Sequence, residues 1–135
     1  MLISVFGRTV AVRPGSKTDI CTAPELIAEV CLTSGGYDLH LKYDLYETVG
    51  VQEYVAILVE QQEIRWHRLV NGRYQLLPPD ADGIWHSRVF PGLWLDGAAL
   101  LRRDMQRVLA VLQAGIATPE HQAFVERLAH QRAGT

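Results

Sequence analysis

The chain has 135 residues, 48% of them hydrophobic, with 13 Lys and Arg against 15 Asp and Glu and a formal charge of -2. That length supports one modest core and so one domain. The charge excludes a globally basic nucleic-acid binder but not a local basic patch, because net charge does not say where the charges lie. Cys21 and Cys31 form no CxxC, and their spacing has no metal-site rhythm with the histidines, which implies free, buried thiols in a reducing cytoplasm. The opening "MLISVFGRTVAVRPG" lacks a basic segment followed by a long apolar one, and no stretch reaches membrane-spanning length. A soluble, cytoplasmic protein is expected.

In chain order, "ISVFGRTVAV" alternates as a strand or hairpin with Gly7 as a bend, and "RPGSKTD" is a turn-rich loop. "PELIAEVCL" has the aliphatic character of a central strand, with Glu25, Ile27, Glu29 and Cys31 on one face and Leu26, Ala28, Val30 and Leu32 on the other. "YDLHLKYDLYETVG" reads as a helix, packed through Leu39, Tyr43 and Tyr46 or through Leu41 and Leu45, with Gly50 at its C-terminus. "QEYVAILV" is a second buried strand. "EIRWHRLV" and "RYQLL" flank Asn71-Gly72, a strong hairpin signal. The middle of the chain is therefore β-α-β-β-β.

Beyond the polar "PPDADG", "IWHSRVFPGLWLD" reads as a short strand and a turn, and Asp96 is placed to cap one helix over "GAALLRRDMQRVLAVLQAG". Its stripe is Leu101, Met105, Val108, Leu109 and Leu112, extended by Phe124, Val125 and Leu128 of a last helix that Thr118 caps, with Pro119 at its first position. The stripe is expected to form core or a subunit contact. Trp85, Phe90, Trp94 and Leu95 are expected to close the sheet end against the last helices.

One feature asks for a chemical explanation. A lone carboxylate inside an apolar strand costs several kcal/mol unless a cation or strong donors meet it, and Glu29 sits between Ala28 and Val30. Asp38, Lys42 and Tyr46, four residues apart, project from one face of the following helix, so Lys42 is the candidate partner. A strand carboxylate with a nearby lysine is half of a metal-dependent phosphodiesterase site, in which carboxylates hold Mg2+ and the lysine orients or activates the nucleophile. It is also the pattern of a pair that only satisfies itself, which spacing alone favours. Glu25, four strand residues from Glu29, is roughly 13 Å away, too far to share one metal. The five histidines, His40, His67, His86, His121 and His130, show no i,i+4 pair, and only His40 is near this constellation. Arg65, Arg68 and Arg73, interleaved with Trp66 and Tyr74, make a candidate phosphate-gripping ribbon or simply a two-faced sheet edge.

The stretches "APELIAEV", "YDLHLKYDLY", "GVQEYVAI" and "RYQLLPPDADGIWHSRVFPGLWLD" resemble the Uma family, classed by inference as restriction endonucleases within the PD-(D/E)xK nuclease superfamily. The resemblance covers about residues 23–96. It implies an α/β restriction-endonuclease-like core, a mixed sheet with flanking helices, in a single domain whose core spans about 1–96, followed by two C-terminal helices over about 97–133. It further implies dependence on Mg2+ or Mn2+ and a DNA-cleaving role. On matching positions Glu29 is similar to the acidic metal ligand and Lys42 to the family's helix lysine, which stands in for a lysine two residues after the acid, where this chain has Cys31. Asp38 and Tyr46 match the pattern around that lysine.

Family members also carry an earlier strand with a Pro-Asp step that supplies the first metal ligand. No Pro-Asp step precedes Glu29 here, so the expectation is an N-terminally truncated domain whose second ligand would come from Asp19, from a main-chain oxygen such as that of Val30, or from another chain. Two readings stay open: a metal-dependent DNA endonuclease acting through Glu29 and Lys42, and an inactive remnant serving as an interaction or oligomerisation module. Sheet surface left bare by the truncation would favour a homodimer.

Overall fold

The computed structural model describes residues 2–6, 24–32 and 36–134, with side chains for 24–32 and 39–134. Gly7, the loop with Pro14 and Gly15, Asp19 and Cys21 lie outside the described residues. The chain divides into two compact units, Met1–Leu77 and Pro78–Thr135.

In the first unit, five strands form one sheet in chain order: β1 (Leu2–Phe6), β2 (Leu26–Cys31), β3 (Glu53–Leu58), β4 (Glu63–Val70) and β5 (Arg73–Leu76). Among the described strands only β2 and β3 run parallel, because the helix α1 (Gly36–Val49) carries the chain back between them. The other neighbours are antiparallel, giving the mixed α/β sheet and the β-α-β-β-β order read from sequence. The β4–β5 turn has Asn71 at φ 52° and Gly72 at φ 79°, the pair of left-handed residues that a two-residue hairpin matching strand twist requires.

The apolar residues of β2 and β3 fall on both faces, as expected of inner strands. Toward α1, Ile27, Cys31, Tyr54, Ala56, Leu58 and Tyr74 form a core together with Val51, and Leu39, Tyr43 and Tyr46 of the helix pack on it. This settles which helix face turns inward, for Leu41 and Leu45 are each more than half exposed. On the opposite face Leu26, Val55 and Trp66 are buried around a second buried carboxylate, Glu53, which accepts the Trp66 indole N–H at 3.2 Å.

In the second unit, two short strands, β6 (Ile84–His86) and β7 (Trp94–Asp96), pair antiparallel and lead into α2 (Gly97–Leu101), α3 (Met105–Ile116) and α4 (Pro119–Ala133). The single helix expected from "GAALLRRDMQRVLAVLQAG" is two. Asp96 does cap the start, but Arg103 adopts φ 63° and Asp104 begins a new helix by accepting the Arg107 N–H at 3.1 Å. The break rotates the second segment, so Met105 and Leu109 are exposed and Val111 is buried instead. In α4 Val125 and Leu128 are likewise exposed and not part of a core, and Phe124 meets Phe90 edge-on at 5.9 Å. Gly115 lies against Trp94, and a side chain there would collide with the indole at 2.8 Å.

Candidate active site

The site is built where β2 faces α1. Glu29 is completely buried on the helix-facing side of β2, between Ile27 and Cys31 on the same face. From the second turn of α1, Lys42 reaches down, and its Nζ donates a hydrogen bond to Glu29 Oε1. The Lys42 side chain is 15% exposed, so its stem crosses the apolar helix face while its head is held at the strand. The cation expected to meet Glu29 is thus the one present.

A second donor was not foreseen. Tyr54 Oη donates to Glu29 Oε2 at 3.1 Å. Tyr54 follows Glu53 in "GVQEYVAI" and stands opposite Ile27 in the parallel pairing, two residues before the Ala56 that stands opposite Glu29. The sequence signal was its period-two position on the face of β3 that turns toward Glu29, legible only once β2 and β3 are known to be in register. Burial and the neighbouring Glu29 push the Tyr54 hydroxyl above its ordinary range, so it acts as a donor and not as a base. Tyr46 packs edge-on against Tyr54 at 5.1 Å, supporting that hydroxyl from the helix. Asp38 lies in α1 one turn before Lys42, in the segment whose side chains are outside those described.

The small Ala56 is flanked in register by Glu29 on β2 and Arg65 on β4. With no bulky side chain at that position, a cleft of about 350 Å³ opens over the sheet, with Tyr54, Ala56 and Leu58 of β3 as floor, lined also by Leu39, His40 and Tyr43 of α1, by Gln61 between β3 and β4, and by Arg65 and His67 of β4. His67 sits in a ring cluster, 5.0 Å edge-on from Tyr43 and 5.8 Å stacked on Tyr54. Burial, reinforced by the Arg65 charge and opposed by Glu47, pulls its imidazole below the ordinary histidine value, so at neutral pH it is an uncharged ring. His40, expected near the constellation, does line the cleft.

The three hairpin arginines do not form one ribbon. Arg65 and Arg68 are three residues apart on a strand and so point to opposite faces. Arg73 lies 3.8 Å from Glu47 on α1, whose other oxygen accepts the Tyr74 main-chain N–H at 2.8 Å. Trp66 and Tyr74, suggested as stacking partners, are buried. Only Arg65 faces the cleft, and its guanidinium is held by Glu63 through two hydrogen bonds of 3.0 and 3.2 Å.

The Uma2 family model, described as "Putative restriction endonuclease", matches residues 4–106. The chain belongs to this family. The match takes in Glu29, Lys42, Tyr54 and Arg65, and it agrees with the mixed α/β architecture. No curated protein matches the chain significantly. No described helix is long and apolar enough to cross a membrane.

Restriction-endonuclease-like Uma2 members are ordinarily expected to use a divalent cation. Mg2+ asks for near-octahedral oxygen ligation. Among the described residues no group of three or more His, Cys, Asp or Glu is placed to hold a metal ion, and both oxygens of Glu29 are engaged by Lys42 and Tyr54. The described residues by themselves therefore do not make up the implied Mg2+ or Mn2+ site.

Proposed function

We propose that the chain is a DNA endonuclease of the Uma2 type that hydrolyses phosphodiester bonds at Lys42 and Glu29. The observation that supports this reading is the ion pair between the wholly buried Glu29 and the helix residue Lys42, in a chain that belongs to the Uma2 family. In this reading Glu29 and Tyr54 hold the carboxylate-lysine unit in place, and the Lys42 ammonium orients the attacking water or stabilises charge building on the phosphate. Tyr46 and Asp38 support it from the helix. The reading includes dependence on Mg2+ or Mn2+, with Glu29 as one ligand and a further oxygen expected from Asp19, from a main-chain oxygen such as that of Val30, or from another chain. DNA contact rests on Arg65, since Arg68 is on the other face and Arg73 leans on Glu47.

A second reading, an inactive interaction module, draws support from the engagement of both Glu29 oxygens. The single chain carries no observation that supports the expected homodimer. One experiment separates the two: nicking of supercoiled plasmid in Mn2+ by the parent, Glu29→Ala and Lys42→Ala. Nicking by the parent that both substitutions abolish is the expected result, and a folded parent without activity would favour the module.

A further inference from the structure

The cleft over Ala56 has a size and a lining that a double helix does not explain. At about 350 Å³ it is at the lower end of small-molecule sites, which run from roughly 300 to 1,000 Å³. A duplex, whose major groove alone is about 12 Å wide, cannot enter such a space. One nucleotide can. The rings of Tyr43 and His67 touch edge-on at 5.0 Å, so they line it as one continuous aromatic surface, with Leu39 and Leu58 adding apolar area, and such a surface suits the π face of a base. At the rim, Gln61 offers an amide able both to donate and to accept, and Arg65 offers the planar fork that suits a phosphate.

We infer that this cleft takes a single unpaired nucleotide, its base against the Tyr43 and His67 rings and its phosphate on Arg65, so that the protein prefers single-stranded or locally opened nucleic acid to duplex. The inference rests on the proposed nuclease reading for its biological sense, because the Tyr54 floor of the cleft is the same residue that donates to Glu29. It names the form of substrate that the reading leaves open.

The Arg65–Glu63 pair is part of this inference. Both side chains are 46% exposed, so the pair contributes little to stability and exchanges readily for a phosphate. Glu63 holds Nε and one terminal nitrogen, the edge that a bidentate phosphate would take. Glu63 therefore competes with the ligand for Arg65.

The test is equilibrium binding by fluorescence anisotropy, in EDTA so that no cleavage intervenes, of one labelled oligonucleotide used alone and annealed to its complement. The expected result is tighter binding of the single strand by about tenfold, loss of about tenfold with Arg65→Ala, a gain with Glu63→Gln, and no change with Arg68→Ala on the opposite face. Arg65, Glu63 and Arg68 are all exposed, so the variants should stay folded, and unchanged circular dichroism would verify this. Equal or tighter binding of duplex, or equal losses for Arg65→Ala and Arg68→Ala, would overturn the inference. Plasmid nicking tests the nuclease reading separately: single-strand preference without nicking leaves the cleft and removes the nuclease, and nicking without single-strand preference does the reverse.

Discussion

The Lys42 ammonium on α1 is hydrogen-bonded to the Glu29 carboxylate on β2, and the carboxylate has no exposure to water at all. Each partner is therefore the main reason the other is tolerated where it is. Removing Lys42 alone leaves a buried carboxylate with Tyr54 as its remaining identified donor, and Lys42→Met should cost about 3–5 kcal/mol. Replacing both, as Glu29→Leu with Lys42→Met, should cost clearly less than Lys42→Met alone. Urea unfolding of the three proteins measures this, and a double variant as unstable as the single one would refute the pairing as the reason.

Tyr54→Phe keeps the ring and removes only the hydroxyl that Glu29 accepts. A hydrogen bond to a charged partner is worth about 1.5–3 kcal/mol. A loss of that size in urea unfolding is expected, with the ring packing against Tyr46 retained. No measurable change would mean that Lys42 alone satisfies Glu29.

His67 gives the first unit a pH dependence of known sign. Burial, with Arg65 adding to it and Glu47 opposing it, lowers the folded-state value below the ordinary 6.5. As pH falls through about 6.5 the unfolded chain takes up this proton while the folded chain resists, so stability declines from neutral pH downward and the loss levels off below the folded value. His67→Gln should flatten that part of the stability profile between pH 7 and 5. Denaturant midpoints across this range decide it.

Asp96 caps α2 through the Ala99 N–H at 3.0 Å and also meets Arg107 at 3.1 Å. These contacts, the Ala99 N–H foremost, lower its carboxyl below 3.8. A depressed carboxylate contributes stability above its unfolded value and loses it as pH falls through the folded one. Asp96→Ala should therefore cost about 1 kcal/mol at neutral pH, with the difference from the parent shrinking below about pH 3.8. Thermal melts at pH 7 and pH 3 would show it.

Arg103 sits at φ 63°, in left-handed backbone that a side chain adopts only at a cost. Arg103→Gly should relieve it and raise stability by about 0.5–1 kcal/mol, net of the extra freedom glycine gives the unfolded chain. A lower melting temperature would show that the break between α2 and α3 depends on the arginine itself.

The local signals carried far along this chain. Asn71-Gly72 gave the hairpin because few residues accept two consecutive left-handed positions, and Thr118-Pro119 marked the last helix through chemistry confined to one turn. The alternation in "PELIAEVCL" placed Glu29 on a face, and the spacing to Lys42 named its partner. The same reasoning overran Asp104, where an N-cap signal was read as helix interior because the apolar periodicity seemed to continue past Arg103.

By itself, then, the sequence determined the order and type of the elements from β2 to β5 and the pairing of Glu29 with Lys42, because these depend on residues adjoining in the chain or one strand-to-helix connection apart. The parallel register that puts Tyr54 beside Glu29, the gap that Ala56 opens between Glu29 and Arg65, and the placement of His67 in a ring cluster were decided only in three dimensions. Each joins strands separated by a helix or a turn, and register between strands is set by how both faces of the sheet pack together rather than by any one segment's pattern.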